Sequence, residues 1–460
     1  MAFGRARLAT VTADAPVTTR LDRQQRLMAI GLVLGVTMVA FEITAVLTAL
    51  PTITDELDGD SLYGVALACY TLANLVALVV TGELTDRYGP AKPYLASLAV
   101  FAGGLVVAAT APSMVFVVIG RTLQGAGTGG LAPIAYVLVK RAFPSDRQPS
   151  MYAYLSAGWV LPSLIAPAIA GTITDHLGWP WVFWLLLPLI PVVAFITVRP
   201  MRAYAATGTG VVRHSRITAA ILAAAGIGLL VTALQFRHSV AAVGGVALGL
   251  VIGLPSLRRL LPAGVHRAAR GLPAVVLCRM IATAAFLGAN SFIPLAADRI
   301  HGVSPTAQGF VIIGASLSWT LGQWFMSRHS QIDPRRAVRW GFATMALGLA
   351  ASAPVLAAGW PLWATFISWA VGGFGMGLLF NPTTVTAMSH ADEGAEGLVS
   401  SQVNLADAVG FSMMGGIGGA TVAISDHTNL SLAGSLGINF GLAIALACIG
   451  MTCARRIASR

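Results

Sequence analysis

Apolar residues in this chain neither mark one face of an amphipathic helix nor alternate as in a strand. They fall in nearly unbroken runs of about 20 residues, the length a helix needs to cross the hydrocarbon core of a bilayer. Fourteen runs can be marked, near 27–51, 62–84, 93–111, 113–138, 150–174, 179–198, 217–236, 239–257, 272–297, 305–327, 336–356, 360–387, 397–423 and 432–454. The polar stretches between them are too short for a separate soluble domain. The pattern predicts an all-α integral membrane protein. The first run, Leu27 to Pro51, exceeds a signal-peptide core and no small-residue cleavage site follows it, so an uncleaved first crossing is expected. Runs 217–236 and 239–257 are separated by little more than Arg237 and His238 and can be read as two crossings or as a re-entrant hairpin; length favours two crossings. Setting that pair aside leaves six runs before and six after, as an internal duplication would. The expected division is a tail at 1–26, a six-helix bundle at 27–198, a linker with two additional helices at 199–271, a second six-helix bundle at 272–454 and a tail at 455–460.

Composition agrees: 56% of the 460 residues are hydrophobic and 10% are charged, more apolar than a soluble core can use. The net charge of +11 does not call for nucleic acid, because nearly all 29 Lys and Arg fall in alternate gaps between runs. One side holds Arg5, Arg7, Arg20, Arg23 and Arg26, then Arg87 and Lys92, then Lys140, Arg141 and Arg147, then Arg199, Arg202, Arg213 and Arg216. The same side continues with Arg258, Arg259, Arg267 and Arg270, with Arg328, Arg335, Arg336 and Arg339, and with Arg455, Arg456 and Arg460. The other side has Arg237 and Arg299, and its first loop carries Asp55, Glu56, Asp58 and Asp60. The positive-inside rule then places both termini in the cytoplasm. The four cysteines lie within apolar runs, with no CxxC or His cluster, so neither a disulfide framework, a metal site nor a cofactor is expected. No GxxxxGK[ST] stretch occurs for a nucleotide.

The turn after the second run reads GELTDRYGPAK, from Gly82 through Asp86, Arg87 and Gly89 to Lys92. It resembles the hallmark G-x-L-x-D-R-x-G-x-x-[KR] loop of the major facilitator superfamily. That resemblance implies two pseudo-symmetric six-helix bundles around a cavity that opens alternately to either side, with Asp86 and Arg87 in a cytoplasmic charge lock. Pro90 and Ala91 depart from the pattern, where basic residues are common. The equivalent turn of the second half, Gly322 to Arg328, lacks the acid and is a degenerate relic.

Two arginines, Arg121 and Arg279, lie within runs, where a charge costs roughly 2.5 to 3.5 kcal/mol at a helix centre and so faces a cavity or a carboxylate unless it snorkels to an interface. Arg121 opens RTLQGAGTGG, which resembles the superfamily's R-x-x-Q-G-x-G motif associated with proton transfer and includes Gln124; Gly125 and Gly129 make a small-xxx-small packing face. The first run ends in FEITAVLTALP, similar to the acid-x-T-x-x-x-x-A-L-P stretch of fourteen-span drug/proton antiporters, with Glu42 where Asp is usual. Burial and a nearby cation pull a carboxylate's proton affinity in opposite directions, so Glu42 and Arg121 are either a proton-exchange pair or a structural ion pair. Asp407, in the thirteenth run, shares a face with Asn404 at i−3 and is either a second protonation site, a contact for a cationic substrate, or the partner of Arg279. In the fifth run, Pro167 and Gly171 match the antiporter motif g-x-x-x-G-P-x-x-G-G, while Ala166 and Ala170 replace two of its glycines; a kink and close packing follow, and the direction of exchange is left open. Aromatic and amide residues in the runs, among them Tyr70, Trp159, Asn290, Trp319, Gln323, Trp369, Asn381 and Phe411, are candidates to line a substrate cavity.

The expected function is proton-coupled export of an amphipathic or cationic compound from a bacterial plasma membrane, by a monomer whose partners are the substrate, protons and the lipid bilayer. The alternatives are an uptake permease or facilitator, a membrane enzyme, for which no clustered nucleophile or metal-ligand set is found, and a non-transporting membrane protein.

Overall fold

The computed structural model describes residues 21–59, 62–204, 212–233, 239–303, 305–425 and 431–457. Arg5, Arg7, Arg20, Asp60, Arg237, His238 and Arg460, used above in the charge count, lie outside the described residues. Seventeen α-helices and no strand occur among those described. In the first half they are α1 (Arg23–Glu56), α2 (Tyr63–Tyr88), α3 (Ala91–Ala109), α4 (Met114–Ala142), α5 (Gln148–Ala157), α6 (Val160–Leu177), α7 (Pro180–Trp184) and α8 (Leu189–Met201). The linker forms α9 (His214–Ala233) and α10 (Ser239–Leu260). The second half forms α11 (Leu272–Asn290), α12 (Ile293–His301), α13 (Pro305–Arg328), α14 (Pro334–Ser352), α15 (Leu362–Ser389), α16 (Glu396–Ser425) and α17 (Leu432–Cys453).

Each apolar run is helical over its described residues, and three are broken in two: the fifth between α5 and α6, the sixth between α7 and α8, the ninth between α11 and α12. A proline stands at or just beyond every break, Pro162, Pro188 and Pro294, where the missing N–H and the ring suit a helix start and disrupt a helix interior. Nine stretches among the described residues are long and apolar enough to cross a bilayer on their own. The expected count of fourteen crossings goes beyond that number. Helix α4 misses it because five glycines, Arg121 and Gln124 lower its hydropathy, although at 29 residues its length is ample.

The two halves repeat one pattern of helix pairing. In the first, α4 packs on α2 and α3, and α1 on α6 and α8; in the second, α15 packs on α13 and α14, and α11 on α16 and α17. Shifting the run number by eight converts one set into the other, which is what duplication of a six-helix unit produces. Helices α9 and α10 pack on each other and α9 lies against α2. A Cβ at Gly226 of α9 would sit 2.6 Å from Gly253 Cα of α10, so the pair is drawn to backbone contact. Within α10 the apolar stretch Val243–Leu260 has the length of a crossing; that of α9, His214–Leu230, is shorter. Large apolar side chains such as Phe195 (73% exposed), Val251 and Trp363 (69% each) point outward, as in a protein whose solvent is lipid.

Candidate functional site

Within the first bundle, α1, α2 and α4 meet around a buried charge pair. The glycines of α4 make this possible: a Cβ at Gly125 would run into the backbone of Tyr70, and one at Gly129 would lie 2.5 Å from Asn74 O, so α2 and α4 approach too closely for larger residues. One turn before Gly125, Arg121 is 2% exposed and Glu42 is completely buried. Arg121 Nη1 donates to Glu42 Oε1 and, over 2.7 Å, to Gln124 Oε1. Gln124 Nε2 in turn donates to Gly104 O of α3 at 3.4 Å. The guanidinium lies 4.1 Å from the ring centre of Tyr70. Tyr70 Oη accepts from Thr128 Oγ1 at 3.0 Å, and Thr128 Oγ1 accepts from Asn74 Nδ2 at 3.1 Å. The pair is incompletely satisfied: Glu42 Oε2 and Arg121 Nε are buried with no hydrogen-bond partner among the described residues. An ionised carboxylate normally fills both oxygens when buried, so this site holds a vacant acceptor beside a cation.

The second bundle carries the other intramembrane pair, and it is saturated. Arg279 Nε donates to Asp407 Oδ1 at 2.9 Å and Nη2 to Asp407 Oδ2 at 2.5 Å, the bidentate arrangement that fits a guanidinium to a carboxylate. Arg279 Nη1 donates to Phe380 O (3.1 Å) and Thr384 Oγ1 (2.6 Å), and its charge rests 3.4 Å from the Phe380 ring centre. Tyr136, from α4 of the opposite bundle, lies close enough to feel the charges of Arg279 and Asp407. The sequence left Asp407 open between three roles, and the structure brings it to Arg279.

The cavity candidates separate. Trp319 sits edge-on to Phe286 (5.7 Å) and to Phe380 (5.2 Å), next to Arg279, with its indole N–H buried and without a partner among the described residues. Asn290 accepts from Trp369 Nε1 at 2.9 Å, so its amide oxygen is engaged within the bundle. Asn404 Nδ2 turns back to Ser400 O at 2.9 Å. Gln124 belongs to the Glu42 cluster, and Asn381 Nδ2 donates across the bundles to Pro149 O at 2.7 Å. Trp159 stands 45% exposed at the α5–α6 break. Pro167 lies inside α6, and a Cβ on Gly171 would meet nothing within 4 Å, so that glycine is not at a close helix contact.

On the face that carries the basic loops, the bundles are fastened together. Asp86, at the end of α2, accepts from the backbone N–H groups of Gly397 (2.7 Å) and Leu398 (2.9 Å) in the first turn of α16. A carboxylate at a helix N-terminus satisfies free N–H groups and complements the helix dipole. Gly82 makes the approach possible, since a Cβ there would lie 2.7 Å from Gly397 O. Lys140 Nζ donates to Met388 O in the last turn of α15 and to Ala391 O just past its end, both at 2.5 Å. Arg141 pairs with Glu396 at 2.7 Å, and Ser400 Oγ donates to Pro133 O at 2.8 Å. Gly89, at φ 78°, ends α2 in a conformation that favours glycine. Arg87 stacks near its neighbour Tyr88, 5.6 Å from the ring centre, and Lys92 lies exposed on the first turn of α3, away from the fastening. Lys140 and Arg141 are cations that join the closure, and sequence reasoning counted them only as loop charges; their partners lie about 250 residues away, where no local pattern points.

The linker joins this closure. Arg216 of α9 pairs with Glu83, the residue after Gly82, at 2.8 Å, and Glu83 Oε2 also accepts from Arg213 N at 3.0 Å. Leu260 O, at the end of α10, accepts from Arg216 Nη2 (3.3 Å) and from Gln402 Nε2 of α16 (3.1 Å). The hairpin thus touches both bundles at the closed face.

The chain resembles the human organic anion transporter MFSD10 in structure, with a TM-score of 0.71, 14% identity and coverage of 94% of this chain and 100% of that one. It resembles the Escherichia coli fucose:proton symporter less closely, with a TM-score of 0.60 and 12% identity over 92% of this chain and 97% of that one. In sequence it is 26% identical over 433 residues to a Mycobacterium tuberculosis protein named as a probable multidrug-efflux transporter, covering 88% of this chain and 89% of that one. It is 28% identical over 327 residues, 67% of this chain, to an uncharacterized MFS-type transporter of the same species, of whose length it spans about half (47%). The profile of the Major Facilitator Superfamily matches residues 32–414, and with the repeated helix pairing this places the outcome beyond resemblance: the chain belongs to the Major Facilitator Superfamily.

Proposed function

We propose that this protein is a secondary transporter of a bacterial plasma membrane, with both termini in the cytoplasm, that exports an amphipathic or cationic small molecule in exchange for protons by alternating access. Residues 27–198 and 272–454 form its two moving bundles, and 199–271 adds two further crossings. The observation that carries the reading is the unsatisfied carboxylate of Glu42, one oxygen on Arg121 and the other buried without a partner among the described residues. A proton arriving there would neutralise Glu42 and loosen its hold on Arg121, and a cationic substrate would compete for the same charge. Gln124 and Tyr70 would hold Arg121 in place through the exchange. Trp319 and Phe380 would offer an aromatic wall to the substrate in the opposite bundle. Asp86, Gly82, Lys140 and Arg141 would close the cytoplasmic side while the cavity faces outward. The efflux name of a relative matched over nearly its whole length agrees in direction.

The test is proton release from purified, detergent-solubilised protein on adding a panel of lipophilic cations. Release is expected from the parent and from an Asp407→Asn variant that stays folded, and not from Glu42→Gln. No release from a parent that binds the compounds would sink the antiport reading. A second reading, uptake with the same coupling, draws support from Gly171 and its open surroundings in α6, where the export motif would call for close packing. The sidedness of the pH gradient that drives flux in vesicles separates the two.

A further inference from the structure

Lys92 closes the signature loop, yet it takes no part in the fastening of the bundles. It lines instead a cleft of about 350 Å³ between the α2–α3 turn and the end of α8. Lys92 and Arg202 stand at this cleft with the phenols of Tyr88 and Tyr204, above a floor that includes Leu95 and Val198. Both cations are exposed, and among the described residues neither has a carboxylate at ion-pair distance. The apolar floor does not end at the cleft. Leu95, 46% exposed, is one turn from Lys92 on α3, and Phe195, buried Val198 and Arg202 follow one another at i, i+3 and i+7 along α8 and the residue that caps it, with Phe195 73% exposed. Two cations and two hydroxyl donors at the interface, with an apolar track leading from them into the hydrocarbon, match a phosphodiester attached to an acyl chain.

We propose that this cleft binds the headgroup of an anionic phospholipid of the inner leaflet, with Lys92 and Arg202 on the phosphate, Tyr88 and Tyr204 as hydrogen-bond donors and an acyl chain along Leu95 and Phe195. The apolar track selects lipid over free inorganic phosphate, and the paired cations select anionic over zwitterionic headgroups. The site rests on the membrane orientation proposed above but not on proton coupling, so the two readings fail separately.

The experiment is native mass spectrometry of the full chain released from mixed micelles holding phosphatidylglycerol or phosphatidylcholine at equal concentration. The parent is expected to retain phosphatidylglycerol preferentially. The double variant Lys92→Gln/Arg202→Gln should lose about thirtyfold in apparent affinity, since each surface cation is worth roughly fivefold. The charge-matched control Arg258→Gln/Arg259→Gln, on exposed positions of α10, should lose little. Leu95→Ser should weaken lipid retention with both cations in place. Equal losses in both double variants would reduce the effect to general attraction by a basic face and overturn the site. Displacement of the lipid by millimolar inorganic phosphate, with Leu95→Ser behaving as the parent, would overturn the assignment to lipid. All five positions are exposed, and matching melting curves for parent and variants show that the loss is not one of folding.

Discussion

Replacing Asp86 by asparagine should open the closed face. In the structure both carboxylate oxygens accept backbone N–H groups of the first turn of α16, at 2.7 and 2.9 Å. Asparagine keeps one acceptor of nearly the same shape, so Gly82 and Gly397 can stay in contact, while one charge-assisted bond and the interaction with the helix terminus are lost. A hydrogen bond to a charged group contributes about 1.5–3 kcal/mol net, and a charge at a helix N-terminus about 0.3–1 kcal/mol. Crediting the amide with part of the first contribution leaves a loss of about 2 kcal/mol. These contacts exist only when the bundles meet on this face, so the loss falls on one conformation and shifts its ratio to the open one by about thirtyfold. Spin labels at Ser145 and Glu393, exposed on loops of opposite bundles, report the separation by pulsed dipolar spectroscopy once Cys69, Cys278, Cys448 and Cys453 are replaced. The variant should gain a long-distance population that the parent lacks, and Asp86→Glu should lie between them. An unchanged distance distribution in a variant that melts like the parent would refute the assignment of Asp86 as a fastening between bundles.

Three further outcomes are expected. Asp407→Leu strands the Arg279 charge in a buried site and should cost about 3–5 kcal/mol, seen as a lower melting temperature in detergent, whereas Arg279→Leu/Asp407→Leu should recover most of it; recovery of stability without recovery of flux would give Asp407 a role beyond its ion pair. Arg216→Gln should release the α9–α10 hairpin from Glu83 and Leu260, raising hydrogen exchange at the start of α9 and the end of α10 in the closed state; unchanged exchange would mean that the pair adds nothing to docking. Gly125→Leu should force α2 from α4, because its side chain would enter the Tyr70 backbone, with a loss of at least about 1–3 kcal/mol and disturbance of Arg121; a thermal scan of folded protein that matches the parent would contradict the packing described.

What the sequence disclosed divides along a physical line. Run length and loop charge are local quantities fixed by the thickness and asymmetry of a bilayer, so the helices and the six-plus-six repeat could be read without coordinates; the breaks near Pro162, Pro188 and Pro294 were not, and the kink expected at Pro167 falls inside α6. Asp86, Glu42 and Arg121 were legible because each lies in a stretch whose neighbours are constrained with it: the glycines that let a carboxylate reach another helix, or that bring α2 against α4, are part of the same short pattern. Partner choice was not legible. Arg279 and Asp407 are separated by 128 positions, and nothing near either residue distinguishes an ion pair from a protonation site. Lys140 and Arg141 obeyed the positive-inside rule, and that explanation hid their second use as caps on carbonyls and a carboxylate of the opposite bundle.

The linker hairpin shows the same limit from the other side. Its Ala, Gly, Leu and Val content gives length and packing and no chemistry, so an inserted pair of helices looks inert from sequence. Its function in the fold lies at its ends: Arg216 holds Glu83 inside the signature loop, and Leu260 O receives both Arg216 and Gln402. On the proposed alternating-access cycle this face opens, and a hairpin tied to both bundles there would not be neutral to opening. In that cycle every one of these bonds would either break or move with one bundle. If α9 and Arg216 travel with α2, to which α9 is packed along its length, the bond from Gln402 to Leu260 O is the one that parts. A single neutral hydrogen bond contributes about 1 kcal/mol, small beside the Asp86 closure, so the hairpin would tune the balance between states while Asp86 sets it.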